Sequence, residues 1–476
     1  MHFSQYFLKA ALPDSSFEYI NCSNFFLENK ICGCSIDSRT IKKDELFIAI
    51  EGENFDGHDF LALALKNGAS ALVIKKDKKE KVDKIPQKLL LGKLLIFVDD
   101  TLQALIELAK KWRQEFDYPV VGITGSIGKT TTKEILSRIL IAAKLCAYIS
   151  FKNQNNIIGL CLNILKMSNK YNFAVFELGI NGVGEMEKLV DILRPKNALI
   201  TSINNAHTKG LGNLIGIAKE KKKIFKFFSQ DNIGVVNGDQ TLLDLFYNFP
   251  VIRFGKKIKN HVQARRIRFL YDEKKNKSFL SFILKIYSKQ KLVLLKSNHI
   301  GFINNSLAAS AMATLLGVSF NDIVTGLQDY DGFENRFEYK KLKNNSGIII
   351  SDCYNACPES MKAALLAFAQ LKNKGKKIAI LGNMLELGKR EVFWHKQVGR
   401  ILGKIEDLTD LILVGKLAKH IFKTAPLDIK ITTCLNWIEA KNHLDDLLKN
   451  DSSLDSLILA KASRGMKLDN LVKNFI

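Results

Sequence analysis

Residues 122–134 read GITGSIGKTTTKE, and this stretch decides the fold. It continues an apolar run, VVGIT (Val120–Thr124), and leads into the helical pattern TTKEILSRIL that follows. A glycine turn between strand and helix aims several backbone N–H groups at one point, where the positive end of the helix adds to them; that geometry cradles phosphate. Gly125 and Gly128 permit close backbone approach, Lys129 reaches β- and γ-phosphates, and Thr130 offers a hydroxyl to Mg²⁺. The familiar pattern G-x-x-x-x-G-K-[ST] needs glycine where Ile123 stands, so this loop is a shortened variant. An accidental glycine turn is the bland alternative; the strand before it and the helix after it speak against that.

Working outward, short apolar runs alternate with amphipathic helical stretches, which is the rhythm of an α/β protein with a parallel sheet. DELFIAIEG (44–52) alternates like a strand, DFLALALKNGASALVI reads as helix, Gly68 and buried strand, and LLIFVDD closes that segment. A helix is expected from about Leu102 to Phe116, stopped by Pro119, with strands at FAVFELG, NALITSI and NIGVVNG. From about Gly332 the pattern restarts: GIIISDCY, KIAILGNM, LTDLILVG and SLILAKAS look like four strands of a Rossmann-like terminal domain. The expected cuts fall near Asp100 and Gly332, giving domains at 1–100, 101–332 and 333–476.

The chain has 476 residues, 47% hydrophobic and 25% charged, enough to build several cores. No apolar run approaches the roughly 18 residues of a membrane span, and MHFSQYFLKAALPDSS lacks a basic-then-apolar leader layout, so a soluble cytoplasmic protein without stable membrane insertion is expected. Eight cysteines are scattered without a C-x-x-C pair or a zinc-spaced histidine, which reads as reduced, mostly buried thiols. A net charge of +23 suits nucleic acid, an anionic membrane face or a polyanionic small substrate. No basic tract interleaved with aromatics appears, so no nucleic-acid partner is expected. A monomer is the expected assembly.

Phosphoryl transfer needs a metal ligand and a partner for developing charge. Glu177 ends the apolar run AVFELG, and His207, in TSINNAHTKGLG, stands shortly after the next strand. Alone, the first reads as a solvated strand end and the second as a structural histidine; in a candidate nucleotide fold both become candidates.

With these residues in view, the chain resembles the Mur ligase family over nearly its full length. The resemblance rests on TGSIGKTTTKE, on NQNNIIG (Asn153–Gly159), on ELGINGVGEMEKL with ITSINNAHTKGLG, and on SDCYNACPESM (Ser351–Met361). Members carry a shortened loop T-G-x-x-G-K-T-T, in which Ile123 is no defect. Within the family the likeness is to the branch that adds D-alanyl-D-alanine to UDP-N-acetylmuramoyl-tripeptide; the D-x-A-H-x-P and DNPR-like runs of the sister branch, which adds a single diamino acid, are missing. That sister activity and a folylpolyglutamate-type ligase are the nearest alternatives, and a nucleic-acid-stimulated NTPase is the alternative from another class.

The resemblance implies three domains: a small UDP-binding α/β domain, a central P-loop ATPase-type parallel sheet and a Rossmann-like D-Ala-D-Ala-binding domain. It also implies a reaction in which ATP phosphorylates a peptide carboxylate and an amine attacks the acyl phosphate. ATP contacts fall on Gly125, Ser126, Gly128, Lys129, Thr130, Thr131, Asn305, Arg336 and Asp352. Two Mg²⁺ ions are implied, one on Thr130 and Glu177, the other involving His207 and a carbamylated Lys221. Lys129, His207 and Lys221 form the catalytic set. A neutral amine is needed for carbamylation, and Lys219, Lys222 and Lys223 are the nearby cations expected to favour it. Lys223 replaces a usual glutamate and Gly301 a common histidine. Substrate contacts are implied at Ser38, Arg39, Asn155, Asn156, Tyr354, Asn355, Lys461, Ser463 and Arg464, with Pro358 beside them and His395 a weaker candidate.

Overall fold

The computed structural model describes residues 2–21, 31–151, 153–206, 208–272, 277–332, 334–343, 347–372, 375–449 and 455–476. The chain divides into two compact units, Met1–Gly122 with Cys146–Ile180 and Met186–Lys196, and Ile123–Leu145 with Asn181–Glu185 and Asn197–Ile476. Three sheets carry the α/β architecture, of five, nine and six strands.

In the first unit the five-stranded sheet runs in the order Ser16–Ile20, Lys93–Val98, Ala71–Lys75, Glu45–Ile48, Gly33–Ser35. The first pair is antiparallel and the rest are parallel. Phe47, Leu72, Ile74, Leu95 and Phe97 project from these strands into a core closed by Leu61, Ala64 and Leu65 of the following helix. The helix expected to reach Phe116 spans Thr101–Arg113, capped by Asp100, whose carboxylate accepts from the Leu102 and Gln103 amides. It stops early because the Arg113 guanidinium reaches past the last turn to the Phe116 and Leu193 carbonyls, so its satisfied donors hold the chain in a turn well before Pro119. Trp112 on this helix meets the Phe3 and Phe7 rings edge-on.

The nine-stranded sheet has the order Lys289–Leu295, Lys277–Ile286, Val262–Asp272, Val251–Gly255, Ile233–Asn237, Asn197–Ile200, Val120–Thr124, Phe173–Glu177, Ala147–Ile149. Val120–Thr124 is buried at every position, the pattern of a strand covered on both faces. Residues 251–295, which carry no strand in the sequence-based reading, add four: two continue the parallel ladder and two turn back antiparallel. Their signal is hidden because basic residues interrupt the outward face, whereas Leu280, Phe282, Leu284, Val293 and Leu295 alternate inward.

In the second unit the six-stranded sheet has the order Glu338–Lys341, Gly347–Asp352, Ser456–Lys461, Lys377–Gly382, Asp410–Val414, Lys430–Cys434. The four anticipated strands are its parallel centre; one antiparallel and one parallel edge strand complete it. Among the described residues no helix is long and apolar enough to cross a membrane. Of the described cysteines, Cys161, Cys353, Cys357 and Cys434 are buried and free, while Cys32 and Cys146 are exposed.

The loop helix Lys129–Ala142 is packed by helix Phe320–Gln328 at a glycine: a Cβ on Gly326 would lie 2.5 Å from the Ile139 Cα. Backbone cannot yield as a flexible side chain does. Gly326→Ala is therefore expected to destabilise the protein by about 1–3 kcal/mol, read as a lower urea midpoint; an unchanged midpoint would mean that the helices part freely.

Candidate active site

The phosphate-type loop begins where the buried strand ends at Thr124. Gly125 has φ +148° and Gly128 φ +87°, conformations that L side chains rarely adopt. A Cβ on Gly125 would sit 1.9 Å from the Thr201 Oγ1, and one on Gly128 2.2 Å from the Asn305 Oδ1. The loop is pinned from the neighbouring strand end: the Ser126 amide donates to the Ser202 carbonyl (2.8 Å), the Asn204 amide to the Ser126 Oγ (3.0 Å), and the Ser202 hydroxyl to the Ile127 carbonyl (3.3 Å). Gly128 is the N-cap of the loop helix and supplies no side-chain acceptor, so the first turn presents backbone donors, as an anion site requires. Lys129 donates to the Gly125 carbonyl at 2.9 Å, folded over the loop. Thr130 and Thr131 are buried in the first helical turn. Thr201, Ser202 and Asn204 were not singled out as candidates in the sequence; their signal was the polar run TSINN directly after an apolar strand.

A further element reaches this loop through Arg336, and behind it a group of residues is tied to Tyr354 and Asn355. Arg336 donates to the Thr130 Oγ1 at 2.9 Å, with its guanidinium 3.9 Å from the centroid of the Tyr354 ring, a cation–π contact. Arg464, exposed, lies 5.8 Å from the same ring. Asp352 ends its strand in a buried ion pair with Lys461 (2.7 Å), and the Lys461 ammonium also donates to the Asn355 carbonyl at 3.1 Å. Lys461 is 1% exposed, so it acts from inside the fold, holding Asp352 and the 352–355 turn together. Ser463 ties two strand-end loops, accepting from the Leu385 amide and donating to the Ala356 carbonyl. His395 uses both ring nitrogens: Nδ1–H donates to the Glu391 carbonyl and Nε2 accepts from the Met384 amide. It is a fixed, buried support of the 383–386 loop, with its pKa pushed down by burial. Pro358 is the first residue of helix Pro358–Ala369.

Gly301, where the family commonly has histidine, meets an imidazole all the same. The His299 Nδ1 accepts from the Gly301 amide (3.1 Å), and its ring fills the space a Cβ at 301 would need. Burial pushes its pKa down to about 4, so it is neutral at pH 7 and its proton sits on Nε2.

Lys221 is fully buried, and its Nζ has no hydrogen-bond partner among the described residues. Burial pushes its pKa well below the ordinary lysine value, and the Lys129 charge adds to this, while Glu220 and Glu185 oppose it. The cations expected to act on it are thus not the ones that do. Lys223, in place of the usual glutamate, pairs with Glu220 at 2.8 Å, and Lys219 is exposed. His207 lies outside the described residues. Among the described residues no group of three or more His, Cys, Asp and Glu stands together as a metal site.

In the first unit Glu177 is 2% exposed, and its Oε1 accepts from the Asn155 Nδ2 at 2.8 Å. Gly179 makes room for this, since a Cβ there would lie 2.7 Å from the Asn155 amide. Asn156 caps helix Ile157–Ile164 through the Gly159 amide. The Arg39 guanidinium forks onto Asp37 (2.9 and 2.8 Å) while remaining exposed, and Ser38 is buried. In the accompanying loop His58 bridges Asp56 and the Lys75 amide.

Family models match three segments: the Mur ligase family catalytic domain at 30–113, the Mur ligase middle domain at 123–313, and the Mur ligase glutamate ligase domain at 335–464. The UDP-N-acetylmuramoyl-tripeptide--D-alanyl-D-alanine ligase of Bacillus subtilis (strain 168) is 34% identical, covering 94% of this chain and 93% of its own. That of Escherichia coli (strain K12) is 33% identical over 82% of each. Among solved structures, MurF from Acinetobacter baumannii superposes with TM-score 0.84 at 26% identity, covering 100% of this chain and 98% of its own. MurF ligase from Thermotoga maritima in complex with ADP gives 0.77 at 25%, covering 93% and 96%. A shortened phosphate loop on a buried strand, matched domains along the chain and relatives of this identity and coverage agree: the chain belongs to the Mur ligase family.

Proposed function

We propose that this chain is an ATP-dependent ligase that adds D-alanyl-D-alanine to UDP-N-acetylmuramoyl-tripeptide in peptidoglycan precursor synthesis. The supporting observation is the convergence of Arg336, Tyr354 and Thr130 at the shortened loop, in a chain 34% identical over 94% of its length to a ligase of that name. Three domains are proposed, 1–100 for the UDP-linked substrate, 101–332 for ATP and 333–476 for the dipeptide. Substrate contacts are proposed at Ser38, Arg39, Asn155, Asn156, Tyr354, Asn355, Ser463 and Arg464, with Lys461 serving them from inside the fold through Asp352 and Asn355. The nucleotide-linked substrate and ATP locate the proposed reaction in the cytoplasm.

A carboxylate is a poor electrophile because its negative charge repels an incoming amine. Phosphorylation by ATP turns one of its oxygens into a leaving group; the amine then adds to the acyl phosphate, loses a proton and expels phosphate, leaving an amide. What the protein supplies is position and positive potential. Backbone donors of the first helical turn, residues 129–131, and the Lys129 ammonium would face the phosphates, and Arg336 adds a second cation at Thr130. Glycine at 125 and 128 suits a nucleotide, since any side chain there would collide with the supports of the loop.

The proposed magnesium ligands are Thr130, Glu177, His207 and Lys221. Mg²⁺, when bound, offsets the charge of phosphates and carboxylate brought together. The buried amine of Lys221, without a hydrogen-bond partner among the described residues, fits the carbamate reading: burial and the Lys129 charge push its pKa down, toward the neutral form that attacks CO₂, and the same charge favours the anionic product. Lys223, turned onto Glu220, leaves that arrangement undisturbed.

ADP release measured across amine donors, with mass analysis of the product, tests the reading: turnover is expected with D-Ala-D-Ala, and a preference for a free diamino acid or glutamate would overturn it. Lys129→Ala is expected to abolish ADP release while binding of the UDP-linked substrate stays largely intact; equal loss of both would contradict the division of roles. Gly128→Ala carries about 1–3 kcal/mol of backbone strain and is expected to weaken ATP-analogue binding roughly 5- to 150-fold in equilibrium titration. Lys221→Ala is expected to lose activity and regain part of it with short carboxylates, an effect that a lysine acting only as a cation would not show.

A further inference from the structure

The turn that follows strand Asn197–Ile200 is gripped from both sides of position 207. Before it, the Asn205 amide N–H (3.2 Å) and the Asn205 Nδ2 (3.0 Å) both donate to one oxygen, the Oε1 of Glu359. After it, the Lys209 amide (3.3 Å) and the Thr208 hydroxyl (3.4 Å) donate to the Glu386 carbonyl. Glu359 is the second residue of helix Pro358–Ala369, directly after the CYNAC turn whose Tyr354 meets Arg336 and whose Asn355 meets Lys461. One side chain thus links the turn bearing a proposed metal ligand to the loop bearing the proposed dipeptide contacts.

The acceptor is built at a cost. The Glu359 Oε2 is buried and has no hydrogen-bond partner among the described residues, and such an oxygen forfeits hydration without replacement. Its place in the first turn of a 12-residue helix offsets part of that loss through the helix dipole. A carboxylate accepts and never donates, which also fixes the end of the Asn205 amide that faces it. A polar clamp held at such a site, between two loops that carry reaction groups, is better explained by register than by net stability.

We propose that Glu359 is a positioning residue of the ligation. Its Oε1 holds Asn205, and with it the residues leading up to position 207, in register with the 353–357 loop, so that removing the clamp slows turnover more than it weakens binding of either nucleotide. The proposal rests on the ligase reading given above, and no covalent step is assigned to Glu359.

The experiment compares Glu359→Ala, Glu359→Gln, Asn205→Ala and the Asn205→Ala, Glu359→Ala double variant. It uses the full chain with whichever amine donor supports ADP release, so that a wrong donor assignment and a wrong role for Glu359 are read separately. Glu359→Ala is expected to lower kcat tenfold or more, with KM for ATP and for the UDP-linked substrate within about twofold of the parent. Glu359→Gln keeps an acceptor oxygen and is expected to retain at least about a third of kcat; the double variant is expected to be no slower than Glu359→Ala, as for two ends of one interaction. Wild-type kcat in Glu359→Ala overturns the proposal, as does a double variant whose losses multiply. Should Glu359→Ala fold poorly by its urea midpoint, Glu359→Gln and Asn205→Ala decide: a Gln variant slowed tenfold, or an Asn205→Ala variant with unchanged kcat, rejects the clamp.

Discussion

The structure depends on a backbone constraint: at Gly125 and Gly128 the chain turns through φ +148° and +87°, a region L side chains rarely adopt, and neighbouring side chains already stand where a Cβ would go. Thr201 closes one side at 1.9 Å from where a Cβ would be and Asn305 the other at 2.2 Å. Loop shape is therefore set by neighbours as much as by its own residues, and the surface left for a ligand is made of N–H groups. The missing glycine of the longer pattern has its explanation here. Ile123 is a fully buried strand residue, so the loop starts two residues later than that pattern supposes, and an apolar side chain at 123 serves the sheet.

Around that loop the protein buries charge and keeps it paired. Asp352 and Lys461 form such a pair, and removing one partner of a buried pair typically costs about 3–5 kcal/mol because the other charge is stranded. The pair holds the start of the CYNAC turn, so the Tyr354 ring is fixed from behind while Arg336 lies against it. Lys221 departs from this pattern: its amine has no hydrogen-bond partner among the described residues, and burial pushes its pKa down, toward the neutral form.

The charge of the chain has a different distribution from the one a substrate-steering account suggests. Residues 251–296 hold 14 Lys and Arg against 2 Asp and Glu, so much of the +23 belongs to the stretch that forms four strands of the central sheet. Several of these cations have local work: Arg253 and Lys259 meet Asp244, and Lys296 meets Asp331. The same residues made the segment illegible as strands, because lysines on the outward face break up an alternation that is clean on the inward one.

Local patterns were enough to place the elements whose signal is local. VVGIT before a glycine turn, and the four apolar runs after Gly332, declare buried strands because continuous Val, Ile and Leu bounded by turns has few other uses. The phosphate loop, its lysine and its threonine were legible for the same reason. Partnership was not. Nothing in the order of residues says that the imidazole beside Gly301 comes from His299, that Lys461 is turned inward to Asp352, that His395 braces a loop with both nitrogens, or that burial and Lys129, in place of Lys219, Lys222 and Lys223, govern Lys221. Such facts arise from side chains meeting across as many as 109 residues of chain, as Asp352 and Lys461 do. Sequence fixes the chemistry each residue can offer; only the packed tertiary structure determines which groups lose water, and so which charges must be paired, neutralised or left for a ligand.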